Sequence, residues 1–282
     1  MRQPLVSVVV TTKNNQATLD ACLSSIARQT YANQELIVID NSSDDDTPDI
    51  AKRYTEAVYT YGPERSAQRN YGVRQAKGEY VCIIDSDMEL GADVIRDCVE
   101  EMFTTPDTKA LIIPEKSIGV GFWARCKTLE RSFYEGVDTI EAARFFEKKL
   151  YAQVGGYDET MTGGEDLDLT RRIRKLSDVG RVREYILHNE GRLYFGKTAR
   201  KMYYYGRNAG AFFAANPTPS AMKDESGPLA RYRLFFSKPL KLFKNPAVGV
   251  GVLILKTSEY ASAGFGYWRA KRAYKQDVED LA

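Results

Sequence analysis

A chain of 282 residues with 43% hydrophobic and 28% charged side chains can build a sizeable core, which excludes global disorder. Its net charge of +2 hides an asymmetry: residues 1–100 carry 10 Lys/Arg against 16 Asp/Glu, whereas residues 192–245 carry 11 against 2. The four cysteines, Cys22, Cys82, Cys98 and Cys126, lack zinc or redox spacing and sit in apolar runs, so they read as buried thiols in a reducing compartment.

The N-terminal stretch MRQPLVSVVVTT has no long apolar signal-peptide core. Leu5–Thr11 is a nearly continuous β-branched run, as in a strand buried on both faces. After a turn at Asn14 and Asn15, Leu19, Cys22, Leu23 and Ile26 recur at helical spacing. Glu35–Asp40 reads as a second buried strand that ends in an acid. NSSDDDT at 41–47 has capping chemistry, and Pro48 suits a first helical turn. A third strand is expected over Ala57–Tyr61, a helix over Ser66–Ala76 and a fourth strand over Tyr80–Asp85. Strands alternating with helices predict a mostly parallel, doubly wound α/β sheet, and Thr11, Asp40 and Asp85 then share its ligand-binding edge.

Further on, Ala110–Pro114 reads as a strand, Gly119–Gly121 as a loosened turn, and Thr139–Lys149 as a strand or helix feeding Gly155 and Gly156. Asp166–Leu176 reads as a helix, with Leu167, Ile173 and Leu176 apolar and Arg171, Arg172, Arg174 and Lys175 exposed. The boundary is drawn at 191/192. The extension is basic and aromatic first (Tyr203, Tyr204, Tyr205, Phe212, Phe213), then apolar. Its longest apolar stretch, Pro246 to Leu255, is about half the ~20 residues of a membrane-spanning helix.

Two acidic clusters carry the chemistry. In YVCIIDSDMEL at 80–90, Asp85 and Asp87 flank Ser86 just past a strand, where alternate residues can aim two carboxylates at one hard cation. A solvated turn or a helix cap fits the same residues. GGEDLD at 163–168 sets acids behind two glycines at a helix start, a place where simple capping also favours acids.

Read in order, VSVVVTTKNN, ELIVIDNSSDDDT, SAQRNYGVRQAKGEYVCIIDSDM, VGGYDE and GGEDLDLTRRI make residues 5–190 resemble the family 2 glycosyltransferases, which have the GT-A fold. The resemblance implies a Rossmann-like catalytic domain over 1–191 with a helical extension over 192–282. It implies that Thr11, Thr12, Asp40, Arg69, Asn70 and Asp85 face the nucleotide, and that Gly155, Gly156, Gly164 and Glu165 line the donor and acceptor pocket. Asp87, with Asp85, matches the ligands of Mn²⁺ or Mg²⁺, and Asp166 matches the catalytic base. The expected reaction is inverting transfer of one sugar, from a UDP-sugar by preference, to an acceptor hydroxyl. His188, the single histidine, stands where related enzymes place a residue meeting metal or diphosphate, although a packing role fits it too.

The QxxRW signature of processive synthases is absent near Arg171–Arg174, which favours a single transfer. Two rival readings are a nucleotidyltransferase, which lacks support because TTKNNQATLD holds no glycine, and a silent nucleotide- or glycan-binding module. Trp123, Phe122 and Phe146 either shape the acceptor pocket or belong to the core. In the extension, basic residues interleave with Tyr232, Phe235, Phe236, Leu240 and Phe243. That pattern suits an anionic membrane surface better than nucleic acid, with packing or an oligomer contact as the alternative. The expectation is a lipid-linked glycan acceptor and a cytoplasmic enzyme peripheral to the inner face of the membrane.

Overall fold

The structure, a computed structural model, describes residues 3–161, 163–215 and 227–280, without the side chains of 210–215 and 274–280. Phe212 and Phe213 therefore lie outside the described side chains. The chain divides into two compact units, the first made of Met1–Lys116, Glu141–Glu159 and Gly164–Asn189, the second of Ser117–Ile140, Thr160–Gly163 and Glu190–Ala282.

In the first unit, β1 (Val6–Thr12), β2 (Gln34–Asp40), β3 (Val58–Thr60), β4 (Tyr80–Asp85), β6 (Thr108–Ile112), β8 (Phe145–Glu147) and β9 (Asp178–Arg181) form one sheet in the order β3-β2-β1-β4-β8-β6-β9. All its pairings are parallel except those of β8, which runs against β4 and β6. The continuous apolar runs have a simple cause. Val8, Val10, Cys82 and Ile84 pack on one face of the sheet, and Val9, Val81 and Ile83 on the other. Each fully buried aliphatic side chain contributes ~1.5–3 kcal/mol of transfer free energy. On the first face, α1 (Gln16–Ala27) buries Leu19, Cys22, Leu23 and Ile26, and α4 (Val94–Thr104) buries Val94, Ile95, Cys98, Val99 and Met102. α2 (Thr47–Lys52) carries Pro48 in its first turn.

The third strand is shorter than its expected range, and the helix expected over Ser66–Ala76 is α3 (Arg65–Gln75). The segment 139–149 resolves into β8 followed by α6 (Lys148–Gln153). Gly119 lies within a strand, β7 (Glu115–Val120), and only Gly121, at φ 95°, turns the chain. A side chain at Gly119 would meet the Gly191 carbonyl at 2.9 Å, so glycine there permits close packing rather than a turn. α7 spans Glu165–Ile173, starting one residue and ending three residues earlier than expected, and Leu176 is 56% exposed rather than part of the apolar stripe.

The second unit is helical: α5 (Phe122–Ser132), α8 (Phe195–Ala215), α9 (Pro228–Ser237), α10 (Pro239–Leu242) and α11 (Pro246–Asp280). It takes in Ser117–Ile140 as well as the extension beyond 191 because α5 packs on α11. A Cβ at Gly251 would stand 2.5 Å from Cys126 Sγ. A buried square of charges lies along that seam. Lys127 Nζ meets Glu130 Oε2 at 3.0 Å and Glu259 Oε1 at 2.9 Å, while Lys256 Nζ meets Glu130 Oε1 at 2.7 Å and Glu259 Oε2 at 2.9 Å. Burial opposes the Glu130 charge, but Lys127 and Lys256 outweigh it and hold its carboxyl well below the usual range. Lys256→Ala leaves Glu130 and Glu259 short of a cation, so a loss of about 3 kcal/mol is expected in denaturant unfolding. An unchanged midpoint would show the square to be energetically idle. Among the described residues, no helix is long and apolar enough to cross a membrane. All four cysteines are free and buried.

Candidate active site

Parallel register brings the ends of three strands together. Thr12 of β1 stands opposite Asp40 of β2, and Thr11 opposite Asp85 of β4. Asp40 is buried, and its two oxygens accept from the Ser43 hydroxyl at 2.5 Å and the Ser43 N–H at 2.8 Å, a turn closed by its own side chain. Gln68 caps the strand ends, donating to the carbonyls of Thr12 and Ile39 at 3.0 and 2.8 Å. The Thr12 hydroxyl is buried and has no partner among the described residues, whereas that of Thr11 donates to Asp85 at 3.3 Å.

The centre of the site is Arg69, a fully buried arginine on α3. Its Nη2 donates to Asp85 Oδ1 and Oδ2 at 2.8 and 3.1 Å, and its Nη1 to Asp166 Oδ1 at 2.8 Å and Glu165 Oε1 at 3.3 Å. The guanidinium also lies 4.9 Å from the centre of the Tyr157 ring. Burial opposes its charge, but Asp166 and Asp85 outweigh burial and raise its pKa. Burial likewise opposes the Asp85 carboxylate, yet Arg69 and Arg144 hold that carboxyl well below the ordinary range. Glu165 goes the other way, because burial, reinforced by Asp166, raises its pKa.

Gly164, at φ 79°, gives α7 its left-handed entry, and Glu165, Asp166 and Asp168 fill the first turn, where the helix dipole favours anions. Asp166 is 28% exposed; its Oδ1 is held by Arg69, and its Oδ2 has no partner among the described residues. Arg172 is half-buried rather than solvated. It pairs with Asp168 at 2.8 Å and donates to the carbonyls of Val154 and Gly156 at 2.6 and 2.7 Å, which fixes the glycine turn beside α7.

In that turn Gly155 and Gly156 take φ 83° and 67°, and a Cβ on Gly156 would lie 2.5 Å from Asn70 Oδ1. Asn70 is spent on the turn itself. It donates to Tyr157 O and Glu159 Oε1, and accepts from the Tyr151 hydroxyl and the Tyr157 N–H, all at 2.6–2.9 Å. Its amide thus has no hydrogen-bonding position left for a nucleotide in this arrangement.

Asp85 and Asp87 engage different partners. Asp85 turns to Arg69 and Arg144, while Asp87 Oδ2 lies 3.4 Å from His188 Nε2. His188 stands opposite Met88 where β10 (Ile186–Arg192) pairs with β5 (Met88–Leu90), and the register puts it beside Asp87. Its Nδ1 faces Glu115 Oε2 at 3.4 Å. Burial disfavours the imidazolium, but Asp87 and Glu115 prevail and push its pKa up to about 10. Arg144 Nε in turn donates to Glu115 Oε1 at 2.6 Å. One unbroken path of ion pairs therefore runs from Asp166 through Arg69, Asp85, Arg144, Glu115 and His188 to Asp87.

Among the described residues, no group of three or more His, Cys, Asp and Glu side chains forms a ready metal cage. Asp87 nevertheless fits part of one, because its Oδ1 is buried without a hydrogen-bond partner among the described residues; His188, beside it, would join only by giving up the proton that Asp87 and Glu115 stabilise. Asp85, engaged by two arginines, fits less well. Glu115, Arg144 and Arg172 were not anticipated from the sequence; the available signal was a lone charge at the margin of an apolar strand, as in AARFFE at 142–147. Of the three aromatics, Phe146 is core, Trp123 packs on Phe195 at 4.9 Å between ring centres, and Phe122 is 38% exposed.

The model of the family described as "Glycosyl transferase family 2" matches residues 7–157, more than half of the chain. The chain belongs to this family. The matched region contains Asp40, Arg69, Asp85, Asp87 and the Gly155–Gly156 turn, and α7 follows directly. Among curated relatives, this family 2 chain is 32% identical over 119 residues to "Putative glycosyltransferase EpsH" of Bacillus subtilis, covering 40% of this chain and 34% of the relative. It is 35% identical over 88 residues to "UDP-Glc:alpha-D-GlcNAc-diphosphoundecaprenol beta-1,3-glucosyltransferase WfaP" of Escherichia coli, covering 29% and 35%. The matches thus span about a third of those relatives' length.

Solved structures agree on the fold. "S. aureus TarS 1-349 in complex with UDP-GlcNAc" has a TM-score of 0.55 at 16% identity, with 96% and 92% of the two chains covered. "Mannosyltransferase PcManGT from Pyrobaculum calidifontis in complex with GDP-Man and Mn2+" has 0.54 at 19%, with 93% and 76% covered. The family 2 chain therefore has the GT-A fold expected of it, with C-terminal helices.

Proposed function

We propose that this chain transfers one sugar from a nucleotide-diphosphate sugar to an acceptor hydroxyl with inversion at the anomeric carbon. The observation that carries the reading is Asp166. Arg69 anchors one of its oxygens and ties it to the strand-end carboxylate Asp85, while its second oxygen, at a partly exposed position, has no partner among the described residues. A carboxylate so held can accept the acceptor's hydroxyl proton as the oxygen attacks the anomeric carbon from the face opposite the leaving diphosphate. One displacement inverts the configuration.

Thr11, Thr12 and Asp40 are the groups we assign to the nucleotide; the free lone pairs of Asp40 suit a uracil N3–H or ribose hydroxyls. Asn70 acts through the backbone, by fixing the Gly155–Gly156 turn that lines the sugar and acceptor pocket with Gly164 and Glu165. Asp87 and His188 are the residues that would hold Mn²⁺ or Mg²⁺, with Asp85 behind them paired to Arg69. A divalent ion there supplies positive charge against the negative charge growing on the departing diphosphate. UDP is the favoured nucleotide, in keeping with the donor in the name of the Escherichia coli relative. That relative's diphosphoundecaprenol acceptor supports a lipid-linked glycan here, met at the cytoplasmic face of the membrane.

Calorimetric titration of UDP, GDP and dTDP into the purified protein with Mn²⁺, then with EDTA, tests the donor site. UDP is expected to bind with Mn²⁺ and to weaken at least roughly tenfold with EDTA, since a charge-assisted contact to the diphosphate is worth about 1.5–3 kcal/mol. Failure of all three nucleotides to bind under either condition removes the reading.

A further inference from the structure

In the second unit the apolar side chains of α9 and α10 sort into two sets. Phe235 and Leu242 are fully buried and join Phe133, Val252 and Leu255 in the core. Their neighbours stay outside it: Phe236 is 52% exposed, Leu240 90% and Phe243 39%. The turn that presents them is anchored. Lys241 Nζ donates to the Ser132 carbonyl at 2.7 Å and lies 5.0 Å from the Phe133 ring centre, and Ser237 Oγ donates to the Leu234 carbonyl at 2.8 Å. A single exposed leucine is ordinary on a protein surface. Three bulky apolar groups within eight residues, on a segment pinned to the core through Phe235 and Leu242, make a patch of the kind that marks an interaction site.

Charge selects the occupant. Arg233, Lys238 and Lys244 are exposed around the apolar set. From 227 to 258 the sequence holds six Lys/Arg and no Asp/Glu, and the acid that faces Lys241 is Glu135. Two copies of such a surface repel each other. Bulky apolar side chains ringed by cations match the headgroup boundary of a bilayer, where the former enter the acyl edge and the latter meet lipid phosphates.

We infer that the segment 233–244 seats on the surface of an anionic phospholipid bilayer, with Phe236, Leu240 and Phe243 entering it and Arg233, Lys238 and Lys244 on its phosphates. The inference is independent of the donor-site reading, since vesicle binding is measured without nucleotide, sugar or acceptor.

The test is co-sedimentation of the full chain with vesicles of phosphatidylglycerol and phosphatidylcholine, against vesicles of phosphatidylcholine alone, at low and high salt. The protein is expected to pellet with the anionic vesicles, and salt is expected to release part of it. The double variants Phe236→Ser/Leu240→Ser and Lys238→Glu/Lys244→Glu are each expected to lower the bound-to-free ratio roughly tenfold or more, given ~1 kcal/mol per basic residue near an anionic leaflet. Their circular dichroism and melting temperature should match the parent, because the replaced side chains are exposed; single Leu240→Ser is the milder variant that checks this. Equal binding to neutral vesicles, or undiminished binding by the serine variants, overturns the inference. So does a solution dimer that the same substitutions dissociate without any vesicle binding, which would assign the surface to a second copy of the chain.

Discussion

Asp166→Asn is expected to lower kcat by about 10²–10⁴, the usual contribution of a positioned general base, while leaving UDP affinity unchanged. The asparagine keeps the shape of the side chain, and its carbonyl oxygen can still accept from Arg69 Nη1, now 2.8 Å from Oδ1. What it loses is the capacity to take a proton. The anchoring arginine therefore stays in place, and melting temperature should move little. Steady-state kinetics and nucleotide titration on the same preparation separate the outcomes. A fall in kcat at constant affinity assigns the base. Turnover within roughly threefold of the parent would remove Asp166 from that role and turn attention to Glu165, whose raised pKa and burial suit it less well as an ionised proton acceptor. A chain that binds UDP but has no transfer activity even with Asp166 intact would support the silent-module alternative.

Arg69→Met is expected to be among the most destabilising single changes in the first unit. The arginine is wholly buried and holds Asp85, Glu165 and Asp166 together. Methionine fills much of its volume but leaves buried carboxylates without their cation, a change that costs about 3–5 kcal/mol. For a unit of this size that corresponds to a fall in Tm on the order of 10 °C. Arg69→Lys should recover only part of the loss, because a lysine ammonium cannot reproduce the forked bonds to Asp85 and Asp166 at once.

The pH dependence of stability follows from the same residues. Asp85 has a folded-state pKa below its unfolded value of ~3.9, so its pairing stabilises the fold above that pH and is lost as pH falls toward the folded value. Glu165 has the opposite sign: its raised pKa makes its ionisation subtract stability as pH rises past ~4.3. Differential scanning calorimetry of parent and Arg69→Met across pH 3–7 reads both. The gap between them should narrow at the acid end, where protonated carboxyls no longer need the arginine. A constant gap would show that Arg69 acts by packing alone.

The sequence alone was enough to draw the parallel centre of the sheet, though not β9 or the antiparallel β8. VSVVVTT, ELIVID and YVCIID are apolar at successive residues because each strand is covered on both faces, and such a run needs no knowledge of its partners to be read. The acids at the strand ends were legible for the same reason, since a charge that interrupts a buried run marks the point where the strand leaves the core. The helix over 165–173 announced itself through Gly163-Gly164 and the acidic first turn. Arg69 and Asn70 could be named from their motif but not given their work: the arginine's three carboxylates are 16, 96 and 97 residues away in the chain. Arg144 and Glu115 showed at most a lone charge at the margin of an apolar strand, because the role of each is defined by an ion pair across the fold.

Tertiary structure also redistributed the roles of residues already singled out. Asp85 and Asp87 alternate, as a metal-binding pair requires, yet only Asp87 keeps a free buried oxygen, because two arginines from elsewhere occupy Asp85. Arg172 looked like one of four solvated cations on a helix face until the glycine turn was placed against it. The sequence determined where charges leave the core, since burial is written in local apolar pattern. Which charges meet was decided only by the fold, since an ion pair depends on distance in space and not on separation along the chain.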